Sequence, residues 1–118
     1  MNQTLTLDIQ APVADKSYQL IAFDGEFDKA GFSAIRGQLD KLFKDFGAKT
    51  LVFDFANMTF INSESIGYLM EIHTHLAKEE KKLVIVAPKA NVKDVFEAIG
   101  IQQIVPIYAD LNEFLAKS

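Results

Sequence analysis

The stretch that decides the fold spans residues 50–79 and reads TLVFDFANMTFINSESIGYLMEIHTHLAKE. Its first part, residues 50–55, is almost continuously apolar and rich in β-branched and aromatic side chains, which is typical of a strand covered on both faces. From residue 63 to residue 79 the apolar side chains recur three and four positions apart, which predicts a helix. A buried strand followed by an amphipathic helix predicts an α/β fold with this strand in the middle of the sheet.

The flanking sequence continues this alternation of strand and helix patterns. We predict further strands at residues 4–10, 18–23, 82–86 and 104–107, and helices that begin with capping residues at Asp28, Asn91 and Asp110. Strands separated by helices favour parallel pairing through right-handed crossovers, whereas the first two strands are close enough for a hairpin. The sequence therefore predicts a single domain over residues 1–118 in the order β-β-α-β-α-β-α-β-α. Its mixed, mostly parallel sheet has about five strands, the first antiparallel, and about four helices cover it.

Composition excludes several classes of function. The chain has 118 residues, 49% of them hydrophobic, and no cysteine, so disulfides, thiolate metal sites and cysteine nucleophiles are ruled out. Sixteen acidic against twelve basic residues give a net charge of −4, the wrong sign for binding nucleic acid. No signal-peptide pattern opens the sequence, and no apolar run approaches the ~18 residues that span a bilayer. We expect a cytoplasmic protein that does not insert into membranes.

Two polar segments are predicted to form the functional end of the sheet. Residues 24–28 follow the second predicted strand and residues 56–65 follow the third, and loops at the carboxyl ends of parallel strands lie close together. Asn62 or Ser63 can accept a hydrogen bond from an amide of the first helical turn, where the helix dipole also favours a phosphate. Simple helix capping is the alternative role for both residues.

Both segments resemble motifs of STAS domains, a family named for sulfate transporters and anti-sigma-factor antagonists. Residues 25–28, Gly-Glu-Phe-Asp, resemble the Gly-Glu-Leu-Asp signature that opens the first helix of the family. Residues 60–67 are similar to its run of two hydrophobic residues followed by Asp-Ser-Ser-Gly-Leu-Gly. This chain has Asn62 in place of the Asp, Glu64 in place of the second Ser and Ser65 in place of the first Gly.

The resemblance implies a non-enzymatic regulatory module that binds an anti-sigma factor or a related switch kinase. That kinase would phosphorylate Ser63 and so end the interaction. The alternative partner is a membrane-transporter ATPase, which STAS subunits bind without a serine switch. The candidate partner-binding residues lie in the two motif segments and on the helix after the second one: Gly25, Glu26, Phe27, Asp28, Asn62, Ser63, Glu64, Ser65, Tyr68 and Ile72.

A second stripe on the predicted motif helix adds to this surface. Tyr68, Ile72 and His75 lie on one side of the helix, offset from the stripe that should face the sheet. We predict that this side contacts the partner. The alternative is that neighbouring helices cover it.

Catalytic and metal sites have little support in the sequence. His73 and His75 are two positions apart on a helix, so they point roughly 200° away from each other and cannot chelate one ion together. Asp24, Glu26 and Asp28 could form an acid–base pair or a magnesium site. No histidine or lysine is placed near them by sequence, and no phosphate-binding glycine loop is present. We therefore expect no catalytic residue, no metal and no cofactor.

Overall fold

A computed structural model describes residues 4–15, 17–44 and 46–117. Its strands are β1 (Thr6–Ile9), β2 (Tyr18–Phe27), β3 (Thr50–Ile61), β4 (Lys82–Val86) and β5 (Ile107–Tyr108). Its helices are α1 (Lys29–Lys44), α2 (Ser63–Lys78), α3 (Ala90–Ile99) and α4 (Leu111–Lys117). The strands lie in the order β1-β2-β3-β4-β5, with β1 antiparallel to β2 and the other pairs parallel. The predicted element order and the central place of β3 are confirmed.

The sheet buries both of its faces, but unequally. Helices α1, α2 and α3 pack on one face in a continuous core that contains Ile21, Phe53 and Ile85 of the strands. The opposite face has a smaller apolar cluster, in which Phe114 of α4 packs against side chains of three strands: Leu20, Val52, Val84 and Val86. The second face is therefore covered by a single helix of seven residues.

Strands β2 and β3 extend beyond the residues predicted for them, which were 18–23 and 50–55. The register of this parallel pair shifts twice. Ala22 pairs with Asp54 but Asp24 pairs with Asn57, and Gly25 pairs with Met58 but Glu26 pairs with Phe60. Each shift adds one residue to β3, as a β-bulge does. The residues of β3 that face the larger core are Leu51, Phe53, Phe55, Met58 and Ile61, so their spacing changes from two to three after Phe55. The predicted loops after residues 23 and 55 are thus largely strand.

Helix α1 begins in close contact with the end of β2. Asp28 caps the helix as predicted, because the backbone N–H of Gly31 donates to its Oδ1 at 2.8 Å. A Cβ atom on Gly31 would lie 2.2 Å from the backbone oxygen of Glu26. Only glycine fits this position without displacing the backbone of one element or the other.

The end of the chain differs from the prediction in two places. Helix α3 begins at Ala90, and Asn91 does not cap it. The side-chain amide of Asn91 instead donates a hydrogen bond to the backbone oxygen of Thr59 at 2.9 Å. A strand was predicted at residues 104–107, but Ile101–Gln103 form a 3₁₀ turn and β5 contains only two residues. The backbone N–H groups of Ile104 and Val105 donate hydrogen bonds to the backbone oxygen of Ile101. These bonds explain the difference, because they hold the chain in a turn up to residue 105.

Helix α4 has the predicted cap. The backbone N–H of Glu113 donates to Oδ1 of Asp110 at 2.8 Å, and the Glu113 carboxylate accepts from the N–H of Ala109 at 3.2 Å. The two side chains together satisfy amides at the start of the helix, as in a capping box.

Candidate functional site

The end of β2 and the start of α2 meet at one backbone atom. The carbonyl oxygen of Phe27 accepts a hydrogen bond from the backbone N–H of Asn62 at 3.3 Å and lies 2.7 Å from the hydroxyl of Ser65. The two polar segments are therefore in contact, which confirms the expectation that they lie side by side.

Asn62 is the cap of α2. Its backbone is extended (φ −111°, ψ 173°), and its Oδ1 accepts from the N–H of Ser65 at 2.9 Å. The same oxygen lies 2.8 Å from the Ser65 hydroxyl. Since a hydroxyl has one hydrogen, Ser65 donates either to Phe27 or to Asn62 at any moment. Of the two residues that could have capped the helix, Asn62 does so and Ser63 does not.

The two serines of the motif differ in accessibility. Ser63 is the first residue of α2 and is exposed, and its hydroxyl makes no hydrogen bond within the described part of the chain. Ser65 is only 3% exposed, and its hydroxyl is engaged in the contacts described above. The hydroxyl of Ser63 is therefore accessible from solvent, whereas that of Ser65 is not.

Phe60, three positions before Ser63 in the sequence, is an exposed aromatic residue that is not among the predicted partner-binding residues. Its side chain is 44% exposed, and the preceding Thr59 is exposed as well. The second bulge of β3 turns both residues outward before Ile61 returns to the core. The spacing of three between Met58 and Ile61 is the sequence signal that could have indicated this bulge.

Four of the predicted partner-binding residues are buried, and the prediction is corrected for their side chains. Phe27 is fully buried and stacks on Phe23, with a ring-centroid distance of 5.8 Å. Gly25 has a φ of 119° and approaches the backbone of Thr4 so closely that a Cβ would lie 2.7 Å from its oxygen. Ser65 is 3% exposed because its hydroxyl contacts the end of β2. Ile72 is 2% exposed because its side chain belongs to the core.

Helix α1 packs against part of the second stripe of α2. The ring of Tyr68 packs edge-on against Phe32 at 4.3 Å, and the ring of His75 lies 6.0 Å from Phe43. The predicted docking stripe is corrected for Ile72, which is buried, whereas Tyr68 is partly exposed and His75 is exposed. A partner contact at Tyr68 and His75 remains a prediction.

Tyr68 also has an unusual hydroxyl. This hydroxyl is buried and has no hydrogen-bond partner among the described residues. Its burial, followed by the nearby negative charge of Asp40, raises the pKa of Tyr68 to about 12. The phenol therefore stays protonated at neutral pH.

The remaining predicted residues lie at the surface around the start of α2. Ser63 and Glu64 are exposed, and Glu26, Asp28 and Asn62 are partly exposed. Beside them, a cavity of about 110 Å³ is lined by Lys29, Phe32, Glu64 and Ser65.

The structure gives two further observations on metal and membrane binding. Within residues 4–15, 17–44 and 46–117, no three His, Cys, Asp or Glu side chains are grouped closely enough to hold a metal ion. None of the helices in these ranges combines the length and the apolar character needed to cross a membrane.

The sequence matches the STAS domain family over residues 9–114. The chain belongs to this family. The STAS fold also relates it to solved structures. An anti-sigma factor antagonist from Mycobacterium paratuberculosis is 19% identical with a TM-score of 0.82, covering 97% of this chain and 93% of the other. The anti-sigma factor antagonist SpoIIAA in its unphosphorylated form is 17% identical with a TM-score of 0.76, covering 95% of each chain.

A third similar structure is the Bacillus cell fate determinant SpoIIAA in the phosphorylated form. It is 16% identical to this STAS chain, with a TM-score of 0.68, and the match covers 95% of this chain and 98% of the other. At identities this low, the likeness shows the common fold. No curated protein sequence matches the chain at a significant level.

Proposed function

We propose that this STAS domain is a non-enzymatic regulatory module of the anti-sigma-factor-antagonist type, which binds a protein partner at the start of α2. We call the contact area the Ser63 surface and define it by Phe60, Asn62, Ser63 and Glu64. The observation that carries the proposal is the exposed hydroxyl of Ser63 on a helix that Asn62 caps independently. The fold shared with anti-sigma factor antagonists supports the class of partner, an anti-sigma factor that acts as a serine kinase.

Phosphorylation of Ser63 would act on the surface and leave the fold intact. The cap of α2 depends on Asn62 and Ser65, so a modified Ser63 breaks no hydrogen bond described here. A phosphate adds a charge of about −1.5 to −2, which the positive end of the helix dipole tolerates. A partner surface matched to an uncharged hydroxyl would then face this charge beside Glu64, and unfavourable like-charge or desolvated contacts cost several kcal/mol. Binding would fall by orders of magnitude.

Phe60 would supply the apolar part of the same contact. Aromatic residues at the centre of an interface commonly carry much of the binding free energy, because their burial removes a large apolar area from water. Phe60 is 44% exposed and precedes the exposed Ser63 and Glu64 by three and four positions, and an apolar anchor with a polar rim suits protein binding.

A second candidate is a STAS subunit of a membrane-transporter ATPase, without a serine switch. The observation that favours it is Glu64, which is exposed directly after Ser63. Its carboxylate already gives the first turn of α2 a negative charge and would repel a phosphate on the neighbouring residue. In this case the Ser63 surface would be a permanent contact.

The test is capture of the partner from source lysate by wild type, Ser63→Ala and Ser63→Asp, with identification by mass spectrometry. The matched control is Thr74→Asp, which places the same charge on an exposed position of the same helix, about 16 Å further along. We expect wild type, Ser63→Ala and Thr74→Asp to capture a kinase-like anti-sigma factor, and Ser63→Asp to lose it at an unchanged thermal midpoint. Capture of a transporter ATPase by all four proteins would establish the second candidate instead. Equal capture of the anti-sigma factor by Ser63→Asp would contradict the switch.

A further inference from the structure

A separate cavity lies at the opposite end of the sheet from the Ser63 surface, beside α4. Its volume is about 430 Å³, within the range of roughly 300–1,000 Å³ found for sites that hold small molecules. Part of its wall is formed by Tyr18, Thr50 and Lys82, the first residues of β2, β3 and β4, which are paired in register across the sheet. The cavity exists because the short helix α4 covers only part of this face.

The apolar part of the wall is aromatic and well ordered. Phe114 of α4 packs edge-on against Tyr18 and Tyr108, with ring-centroid distances of 5.9 and 5.5 Å. Val84 is buried beneath the same helix, and Leu115 is 44% exposed at the rim. The rings hold one another in place, so the cavity is formed before any ligand enters.

The charge of the wall is of one sign, although the chain is acidic overall. Among the described residues that line the cavity, the charged side chains are Lys82 and Lys117. The acidic residues close in sequence to this wall do not line the cavity. Asp15, Asp110 and Glu113 accept hydrogen bonds from the backbone amides of Ser17, Glu113 and Ala109, and Glu80 is exposed two residues before Lys82. Both lysines therefore face the cavity without a carboxylate in its wall.

We propose that this cavity binds a small organic anion with an aromatic or aliphatic body. The body would replace water against Tyr18, Tyr108 and Leu115, which keep exposed area. Its acidic head would lie between the ammonium groups of Lys82 and Lys117. The hydroxyl of Thr50 is a further polar group in the wall and can donate to the same head. This site is separate from the Ser63 surface and does not depend on the function proposed there.

The test uses three probes with the same body and different heads: phenylbutyrate, phenylbutanol and phenylbutylamine. Each is titrated into the isotope-labelled chain, and amide chemical shifts report both the affinity and the location. We expect phenylbutyrate to shift the amides of β4 and α4, phenylbutanol to bind at least roughly tenfold more weakly, and phenylbutylamine not to bind. Added salt should weaken the phenylbutyrate affinity, since screening reduces the attraction to the lysines.

Lysine variants separate this site from non-specific attraction. We expect Lys82→Gln and Lys117→Gln each to weaken phenylbutyrate binding several-fold, and the double variant to reduce it to the affinity of phenylbutanol. The matched control is Lys93→Gln, which removes a lysine of α3 that lies 4.0 Å from Glu97 and outside the cavity wall. Equal binding of the three probes, shifts confined to the Ser63 surface, or equal losses in all lysine variants would each overturn the proposal.

Discussion

The hydroxyl of Ser65 lies 2.7 Å from the backbone oxygen of Phe27, across 38 positions of sequence. This contact attaches the first turn of α2 to the last residue of β2. Because both groups are buried, water cannot replace either partner. The contact of Ser65 therefore fixes the position of Ser63 relative to the sheet.

Removing the Ser65 hydroxyl should destabilise the fold. We expect Ser65→Ala to lower the free energy of unfolding by about 0.5–1.5 kcal/mol, the net contribution of one hydrogen bond, because the oxygens of Phe27 and Asn62 each keep a backbone donor. Urea denaturation of the purified variant gives this value directly. Ser63→Ala serves as the control and should change stability by less than about 0.5 kcal/mol, since its hydroxyl is exposed. Equal effects of the two substitutions would show that the Ser65 contact contributes little.

The cap of α2 predicts a difference between two substitutions of Asn62. Asn62→Ala removes the acceptor of the Ser65 amide and should cost about 0.5–2 kcal/mol of stability. Asn62→Asp keeps the acceptor and adds a negative charge at the positive end of the helix dipole, which favours the helix. We expect Asn62→Ala to have the lowest thermal midpoint, wild type an intermediate one and Asn62→Asp the highest. An Asp variant less stable than the Ala variant would contradict this account of the cap.

Two glycines of α1 should respond in opposite directions to alanine. Gly31→Ala places a Cβ 2.2 Å from the backbone oxygen of Glu26, so the helix must move away from β2. We expect it to destabilise the fold by more than about 2 kcal/mol or to prevent folding. Gly37→Ala meets no atom within 4 Å and should stabilise the chain by about 0.5–1 kcal/mol, as alanine does in an exposed helix interior. Chemical denaturation of the pair compares both effects within one helix, and a stable Gly31→Ala variant would contradict the close approach.

Tyr68 predicts a dependence of stability on alkaline pH. Its pKa is raised from 10.0 to about 12 in the folded chain, so the unfolded chain loses the phenolic proton first as pH rises. Stability should be retained below about pH 10 and fall between about pH 10 and pH 12, because the unfolded state then binds fewer protons.

The matched variant for this prediction is Tyr68→Phe. It removes a buried hydroxyl that has no partner among the described residues, so we expect a gain of about 1 kcal/mol at neutral pH. Urea midpoints measured for both proteins across the alkaline range should decline less steeply in the variant. Parallel declines would mean that other groups cause the alkaline loss.

The order of the elements can be derived from the sequence because apolar residues recur with a different period in strands and in helices. Residues 50–55 and 63–79 differ so clearly in apolar spacing that the change from strand to helix can be located between them. The extra length of β3 is harder to derive, since a bulge depends on the register of two strands and its trace in the sequence of β3 is the spacing of three between Met58 and Ile61. The exposure of Phe60 follows from that bulge and was missed with it.

The site was predictable in its location but not in its details. Asn62 and Ser63 are both good caps, and only the hydrogen bond to the Ser65 amide distinguishes them. Helical spacing places Tyr68 and Ile72 on one side of α2, but it cannot tell which neighbouring element covers that side. The packing of Phe32 on Tyr68 identifies that element as α1.

The strand order β1-β2-β3-β4-β5 has a consequence for the shape of the Ser63 surface. Each crossover moves the chain one strand further in the same direction, and α1, α2 and α3 lie on the same face, so the winding never reverses. In open α/β sheets, the crevices that take small molecules form where the winding reverses and adjacent crossovers leave toward opposite faces. The carboxyl ends of β2 and β3 therefore lack a crevice of that kind, which suits the protein contact proposed for the Ser63 surface. Room for a small molecule is left on the other face, where α4 is too short to close it.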